Sequence, residues 1–230
     1  MALSLVQTIA NSVSAATSLT VTPGATTGAN HLLVLSIVDA DVTTAPTITD
    51  TAGNTWVKAV SSDYTYPRQG LIYYCQNAAA ITSVTITPSA SQYIYAQFYE
   101  VSGIATSGAL DVTISASGSS TAPTATTAAT SVASEFAVGF IGDNASGGTI
   151  SGVTSGWTAQ TQIHPNSGAG MFPAYQILSA TGTVTLAGTL NVSLQWGVYV
   201  ATFKAAAAAA VVVPPPLVIN QAALIRASIW

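Results

Sequence analysis

Charge is the scarcest property of this sequence. Lys and Arg number 4 and Asp and Glu 8 among 230 residues, so charged side chains make up 5%, against roughly 25% in an ordinary soluble domain. The cations are Lys58, Arg68, Lys204 and Arg226, and the net charge is −4. So little positive charge cannot neutralise a phosphate backbone, which excludes a nucleic-acid partner. Cysteine is reduced to Cys75, inside the apolar run Leu71-Ile72-Tyr73-Tyr74-Cys75. No disulfide within the chain can staple the fold, and the thiol is expected to be buried and inert. Long apolar runs are missing as well. Apolar residues reach 49%, but they are largely Ala and Val diluted with Thr, Ser and Gly. The best candidate span, Ala205 to Val213, is stopped by Pro214-Pro215-Pro216, short of the roughly 20 residues that cross a bilayer. A membrane partner is therefore not expected. Met1 to Gln7 carries neither a basic leader nor an apolar segment of secretory length, so no signal peptide is read there.

Helical periodicity is also lacking, and what fills the chain is strand. Short Val/Ile/Thr/Tyr-rich runs alternate with Gly, Pro, Asn, Asp and Ser clusters. They predict strands near 3–9, 18–22, 31–38, 46–50, 55–60, 70–76, 82–87 and 92–101. A second series is predicted near 110–115, 124–128, 135–142, 149–153, 156–162, 173–178, 183–187 and 193–203. The class is all-β.

The second series repeats the first. Asn30-His31-Leu32-Leu33-Val34-Leu35-Ser36-Ile37-Val38-Asp39 aligns with Ser134-Glu135-Phe136-Ala137-Val138-Gly139-Phe140-Ile141-Gly142-Asp143. Gly53-Asn54-Thr55-Trp56 aligns with Thr154-Ser155-Gly156-Trp157, and Tyr95 with Trp196, each 101 residues on. Two pseudo-repeats, about 3–102 and 109–204, could form tandem immunoglobulin-like sandwiches or interleave into one sandwich of two larger sheets. The join at 102–109 is short and has no Pro-rich or charged linker character, which favours one β-sandwich over 1–204. In the strand at 92–101, Ile94, Ala96 and Phe98 point one way and are expected to be core. Tyr93, Tyr95, Gln97 and Tyr99 point the other. Trp56 and Trp157, duplicated at equivalent strand starts, are expected to serve the core. With so few charges to protect edge strands, loops or neighbouring subunits are expected to cover them.

From Ala205 the composition changes abruptly to Ala, Val and Pro and then to an apolar end, so 205–230 reads as an extended C-terminal tail. The Pro triplet is pre-set to polyproline II and makes a stiff spacer. Beyond it, Leu217, Val218, Ile219, Leu224, Ile225, Ile229 and Trp230, with Arg226 among them, form a segment far more apolar than a free tail. Either it folds back on its own domain or, the favoured reading, it docks into another subunit.

Residues for chemistry are few. His31 opens a predicted strand and His164 sits in the loop Gln162-Ile163-His164-Pro165-Asn166, with no second ligand at metal spacing near either. No nucleophile elbow or phosphate loop occurs. Asp39, Asp41 and Asp50, with Asn54, flank one loop, and Asp143 with Asn144 takes the equivalent place in the second half. Oxygen clusters of this kind could hold calcium, which makes Asp39, Asp41 and Asp143 the metal candidates. Asp and Asn are also the usual residues for leaving a strand, and that is the favoured reading. Tyr64 and Tyr66, in Tyr64-Thr65-Tyr66-Pro67-Arg68, together with Tyr73 and Tyr74, could stack on sugar rings. No cofactor and no enzymatic activity are expected.

The motifs Asp50-Thr51-Ala52-Gly53-Asn54-Thr55-Trp56, Tyr99-Glu100-Val101-Ser102-Gly103, Ala109-Leu110-Asp111-Val112, Ser155-Gly156-Trp157 and Trp196-Gly197-Val198-Tyr199-Val200-Ala201-Thr202-Phe203-Lys204 resemble a family. It comprises Thr/Ser-rich β-sandwich modules of tailed-phage virion proteins and bacterial surface proteins. The resemblance covers about residues 3–204 and implies a jelly-roll or lectin-like sandwich. It brings no catalytic residues, and the tail lies outside it. The missing leader favours the phage branch. The expectation is a non-enzymatic, multi-copy capsid decoration (cement) protein on the virion head surface, assembled in the host cytoplasm. Its tail would bind the major capsid protein or other virion subunits. The alternative is a carbohydrate-binding or adhesin module on a tail fibre or cell surface.

Overall fold

A computed structural model of the chain describes residues 2–39, 44–65, 68–144, 148–164 and 169–207. Among these residues there are strands and no helix. The first repeat supplies β1 (Ser4–Ala16), β2 (Leu19–Val21), β3 (His31–Asp39), β4 (Thr47–Asp50), β5 (Val57–Thr65), β6 (Arg68–Ala78), β7 (Val84–Thr87) and β8 (Gln92–Ser102). They form a five-stranded sheet in the order β1-β8-β3-β6-β5 and a small sheet β2-β7-β4, with every pair antiparallel. Pairing first with eighth, second with seventh and third with sixth is the folded-ribbon connectivity of a jelly roll.

The second repeat copies this plan. It consists of β9 (Leu110–Ser120), β10 (Thr124–Thr126), β11 (Glu135–Asp143), β12 (Ile150–Ser151), β13 (Thr158–Ala159), β14 (Gly170–Leu178), β15 (Thr185–Ala187), β16 (Thr189–Leu190) and β17 (Leu194–Lys204). Its large sheet runs β13-β14-β11-β17-β9, and the pairs β10-β15 and β12-β16 replace the small sheet. Each of the sixteen expected strands has a counterpart among the described residues, and β16, at Thr189–Leu190, is additional.

Two large sheets do stack as one central sandwich, yet they do not interleave: each is built from one repeat, and no described strand pairs across. β3 and β8 contribute Leu32, Val34, Val38, Tyr95, Tyr99 and Val101 to this central core. Facing them are Phe136, Val138 and Phe140 of β11, Met171 of β14, and Tyr199, Ala201 and Phe203 of β17. On their outer faces the large sheets bury Leu33, Leu35, Ile37, Ile94, Ala96 and Phe98 under the first small sheet. Ala137, Ile141, Val198 and Val200 do the same under the second. The layers therefore run small, large, large, small.

This corrects the expected polarity of β8. The alternation is right and Ile94, Ala96 and Phe98 are core, but Tyr95 and Tyr99 on the opposite face are 0% exposed. A second sheet covers them. The Tyr99 ring meets Phe136 edge-on at 6.1 Å and Tyr175 at 6.3 Å, and Tyr199 stacks on Phe140 at 4.7 Å. Such offset and edge-on pairs suit the ring quadrupoles. Across the same interface the Tyr199 hydroxyl donates to the Ser62 carbonyl at 2.5 Å. The Tyr199 ring also fills the space where a side chain on Gly70 would begin.

The repeat register is corrected by one residue as well. Asp39 lies opposite Ile94, and Asp143 lies opposite Trp196. Trp196 is thus the counterpart of Ile94, and both point into the outer cores. Tyr95 corresponds to Gly197. Trp56 and Trp157 do pack against the two outer cores, as their duplication suggested.

Candidate functional site at the tail root

The final strand does not end free. The Lys204 amide donates to the Ala109 carbonyl at 2.8 Å, and the Lys204 carbonyl accepts from the Ala105 amide at 3.0 Å. Ala205 donates to Ser134 at 3.0 Å, and Ala206 to Gly103 at 2.8 Å. A bridge between Ile104 and Ala205 completes a short ladder between the root of the tail and the join of the two repeats. Gly103 has φ +77°, and a Cβ there would collide with the Ala2 carbonyl. Glycine is required where the chain's opening, its middle and its tail root converge. Beside the root lies an open groove of about 360 Å3 lined by Ala105, Val132, Ser134, Lys204 and Ala205–Ala207.

Under this root sits a buried acid. Glu135, 0% exposed, opens β11 opposite Lys204. Its two oxygens are buried and close no hydrogen bond of good geometry. That desolvation pushes its carboxyl up to about 7. The Thr202 side chain opposes the rise, and the Asp111 carboxyl next to it adds to it. Asp111 goes the other way. Burial alone would raise it, but Ser131 donates to it through both backbone and hydroxyl, each at 2.6 Å, and Glu135 and the Lys204 ammonium 3.6 Å away also favour its charge. The arrangement is an acid whose carboxyl is raised beside a carboxylate held low, with the lysine paired to the carboxylate.

The first repeat places a different cluster at the equivalent position. Glu100, 0% exposed, accepts from the Gly28 amide, His31 Nδ1 and Gln7 Nε2, each at 2.6 Å. His31, weighed from sequence as a metal ligand, is thus a hydrogen-bond partner of Glu100. Sequence reasoning did not single out Glu100 or Glu135. The available signal was an acid inside an otherwise apolar strand, as in Phe98-Tyr99-Glu100-Val101, where burial demands a partner.

Among the described residues the calcium candidates do not assemble. Asp39 and Asp143, both 0% exposed, end the equivalent strands β3 and β11, which lie in different sheets. Asp143 accepts from the Gly170 amide at 2.9 Å, the capping role expected of strand exits. Asp41 lies outside the described residues. Among the described residues no group of three His, Cys, Asp or Glu could hold a metal. Asp50 is a turn organiser. It accepts from Ala52 N, Asn54 N, Asn54 Nδ2 and Trp56 Nε1 at 2.8 to 3.1 Å. Burial raises its pKa, but these donors outweigh that and hold it below its ordinary value.

The tyrosines divide. Tyr73 is buried, and its hydroxyl donates to the Pro46 carbonyl; the Tyr74 ring packs 5.2 Å from Phe203 between the large sheets. Both are structural. The Tyr64 ring and all of Tyr66 lie outside the described residues, as do the docking candidates Leu217, Val218, Ile219, Leu224, Ile225, Arg226, Ile229 and Trp230. No protein-family model, no curated protein and no solved structure matches this chain.

Proposed function

We propose that this protein is a non-enzymatic virion structural protein. In this reading it is a decoration (cement) protein, present in many copies on the outside of a phage head and held to the shell by Leu217–Trp230. The observation that carries the reading is the tail root. Lys204–Ala206 is locked by backbone bonds to the join of the repeats, so the segment after Ala207 departs from one defined end of a rigid sandwich. Composition supports it: a stiff Pro214-Pro215-Pro216 spacer separates that end from seven large apolar residues. Each of these contributes about 1.5–3 kcal/mol when fully buried, less the entropy lost in fixing side chains at the interface. A surface of hydroxyls and amides suits a subunit whose attachment must survive changes in salt, because screening acts on charges.

The test is co-sedimentation of purified protein with virus-like particles. A chain ending at Ala207 keeps every described strand and the root ladder. The full chain is expected to pellet with heads and the shortened one to stay in solution. Equal binding by both contradicts the anchor, and binding by neither turns the reading toward a glycan-binding module.

A further inference from the structure

The groove beside the tail root is walled in part by the chain's own last described residues, Lys204 and Ala205–Ala207, together with Ala105, Val132 and Ser134. Val132 is a large apolar side chain left 38% exposed there. What lies along the groove is set by the ladder that leads into it. β11 and β17 pair from Asp143 opposite Trp196 to Glu135 opposite Lys204 without a register shift. The Ala205 amide, donating to the Ser134 carbonyl, carries that register one step past the strand ends. Continued, it sets Ala207 opposite Val132, and both line the groove. On the other side of the root the Ala206 amide donates to Gly103, so successive residues bond to alternate neighbours as in a central strand. The sequence supplies the continuation. Ala208-Ala209-Ala210-Val211-Val212-Val213 carries no charge and no turn residue, and β-branched valines suit a pleated, half-buried surface. Pro214 then ends the run, because a proline donates no ladder hydrogen bond.

We infer that Ala208–Val213 occupies this groove, continuing the root ladder and covering Val132, so that the tail leaves the surface of the sandwich at Pro214. Two observations choose this occupant over a separate partner. The ladder already formed by Ala205 and Ala206 runs into the groove. The segment is also tethered at the groove's own wall, so its local concentration there exceeds that of any other chain in dilute solution. Alternation along a strand turns either Val212 or the pair Val211 and Val213 toward Val132 and Ala105. Lys204, the charged member of the lining, directs its ammonium to Asp111 and to the Leu110 carbonyl, and its alkyl stem is left to meet apolar side chains. The inference goes beyond the anchor proposed above and does not rest on what Leu217–Trp230 binds. It concerns how the anchor is presented: Pro214-Pro215-Pro216 becomes a stiff arm that starts from a seated base.

The test uses the full chain without heads. Cys75 is buried, so the thiol introduced by Val132→Cys is the one a maleimide reaches. It is expected to react about tenfold more slowly in that chain than in one that also carries Val211→Asp, Val212→Asp and Val213→Asp, which unseat the segment. Far-ultraviolet circular dichroism checks that both variants are folded. In the unaltered chain the amides of Val211–Val213 are expected to exchange about tenfold or more below their intrinsic rates, independently of protein concentration. Equal labelling with and without the three aspartates overturns the inference, and so does exchange at intrinsic rates. Protection that disappears on dilution gives the groove to a second copy and overturns it as well. Pelleting with heads separates this inference from the anchor. A chain that pellets although Val132→Cys is fully open refutes the groove and leaves the anchor standing, and a protected chain that never pellets does the reverse.

Discussion

Raising the pH from 5 to 8 should destabilise this protein, and Glu135 is the reason. Its carboxyl is neutral when folded up to about 7, whereas in the unfolded chain a glutamate titrates near 4.3. Between those values the folded state holds a proton that the unfolded state has lost. Stability is therefore greatest below the unfolded pKa and declines as the pH rises through the folded one. Linkage between pH 5 and 8 gives a loss of about 2.5 kcal/mol, or roughly 5–10 °C in Tm for a chain of this size. The depressed carboxyls of Asp50 and Asp111 act in the opposite direction, but only in more acidic solution, outside this window. Scanning calorimetry in matched buffers measures the effect, and Glu135→Gln should flatten the profile and leave the variant more stable than the parent at pH 8. A parent Tm that is constant or rising from pH 5 to 8, or a Gln variant that falls just as steeply, would refute the reasoning. Because Glu135 lies opposite Lys204, amide exchange at Ala205 and Ala206 should also quicken in the parent as the pH passes 7, beyond the intrinsic base catalysis seen in the variant.

Asp50→Ala removes the acceptor for four hydrogen bonds around Trp56 and should cost about 2–3 kcal/mol in urea unfolding. Gly70→Ala drives a methyl group into the Tyr199 ring and should cost about 1–3 kcal/mol by overpacking, read from the same curves. Cys75 is buried, with its thiol pushed up to about 11 by desolvation and then by the nearby Asp50 charge. It should react with a thiol reagent at pH 8 far more slowly in the native than in the urea-unfolded chain.

Strand positions were legible because Val, Ile, Thr and Tyr runs are punctuated by turn residues almost everywhere. The exceptions have a common cause. β1 continues to Ala16 and β9 to Ser120, well past the expected ends near 9 and 115, because Asn11, Ser12 and Ser117–Ser120, turn formers by type, are held in ladders with β8 and β17. Alternation separated the faces of β8 correctly, but it cannot say what covers the second face, so the burial of Tyr95 and Tyr99 became visible only with the partner sheet in place. The one-residue slip between Tyr95 and Trp196 arose from matching aromatic to aromatic, whereas the structure conserves position in the ladder and lets Ile94 become Trp196. At the tail root, the abrupt change at Ala205 was plain in the sequence. The acid beneath it was not, because its meaning depends on Asp111, Thr202 and Lys204, which only the sheet brings together.

The anchor claim is tested most directly by transplantation. Residues 208–230 fused to an unrelated soluble carrier should make that carrier pellet with heads and compete with the full protein for its sites. A fusion that stays in solution while the chain ending at Ala207 still binds heads would contradict the account.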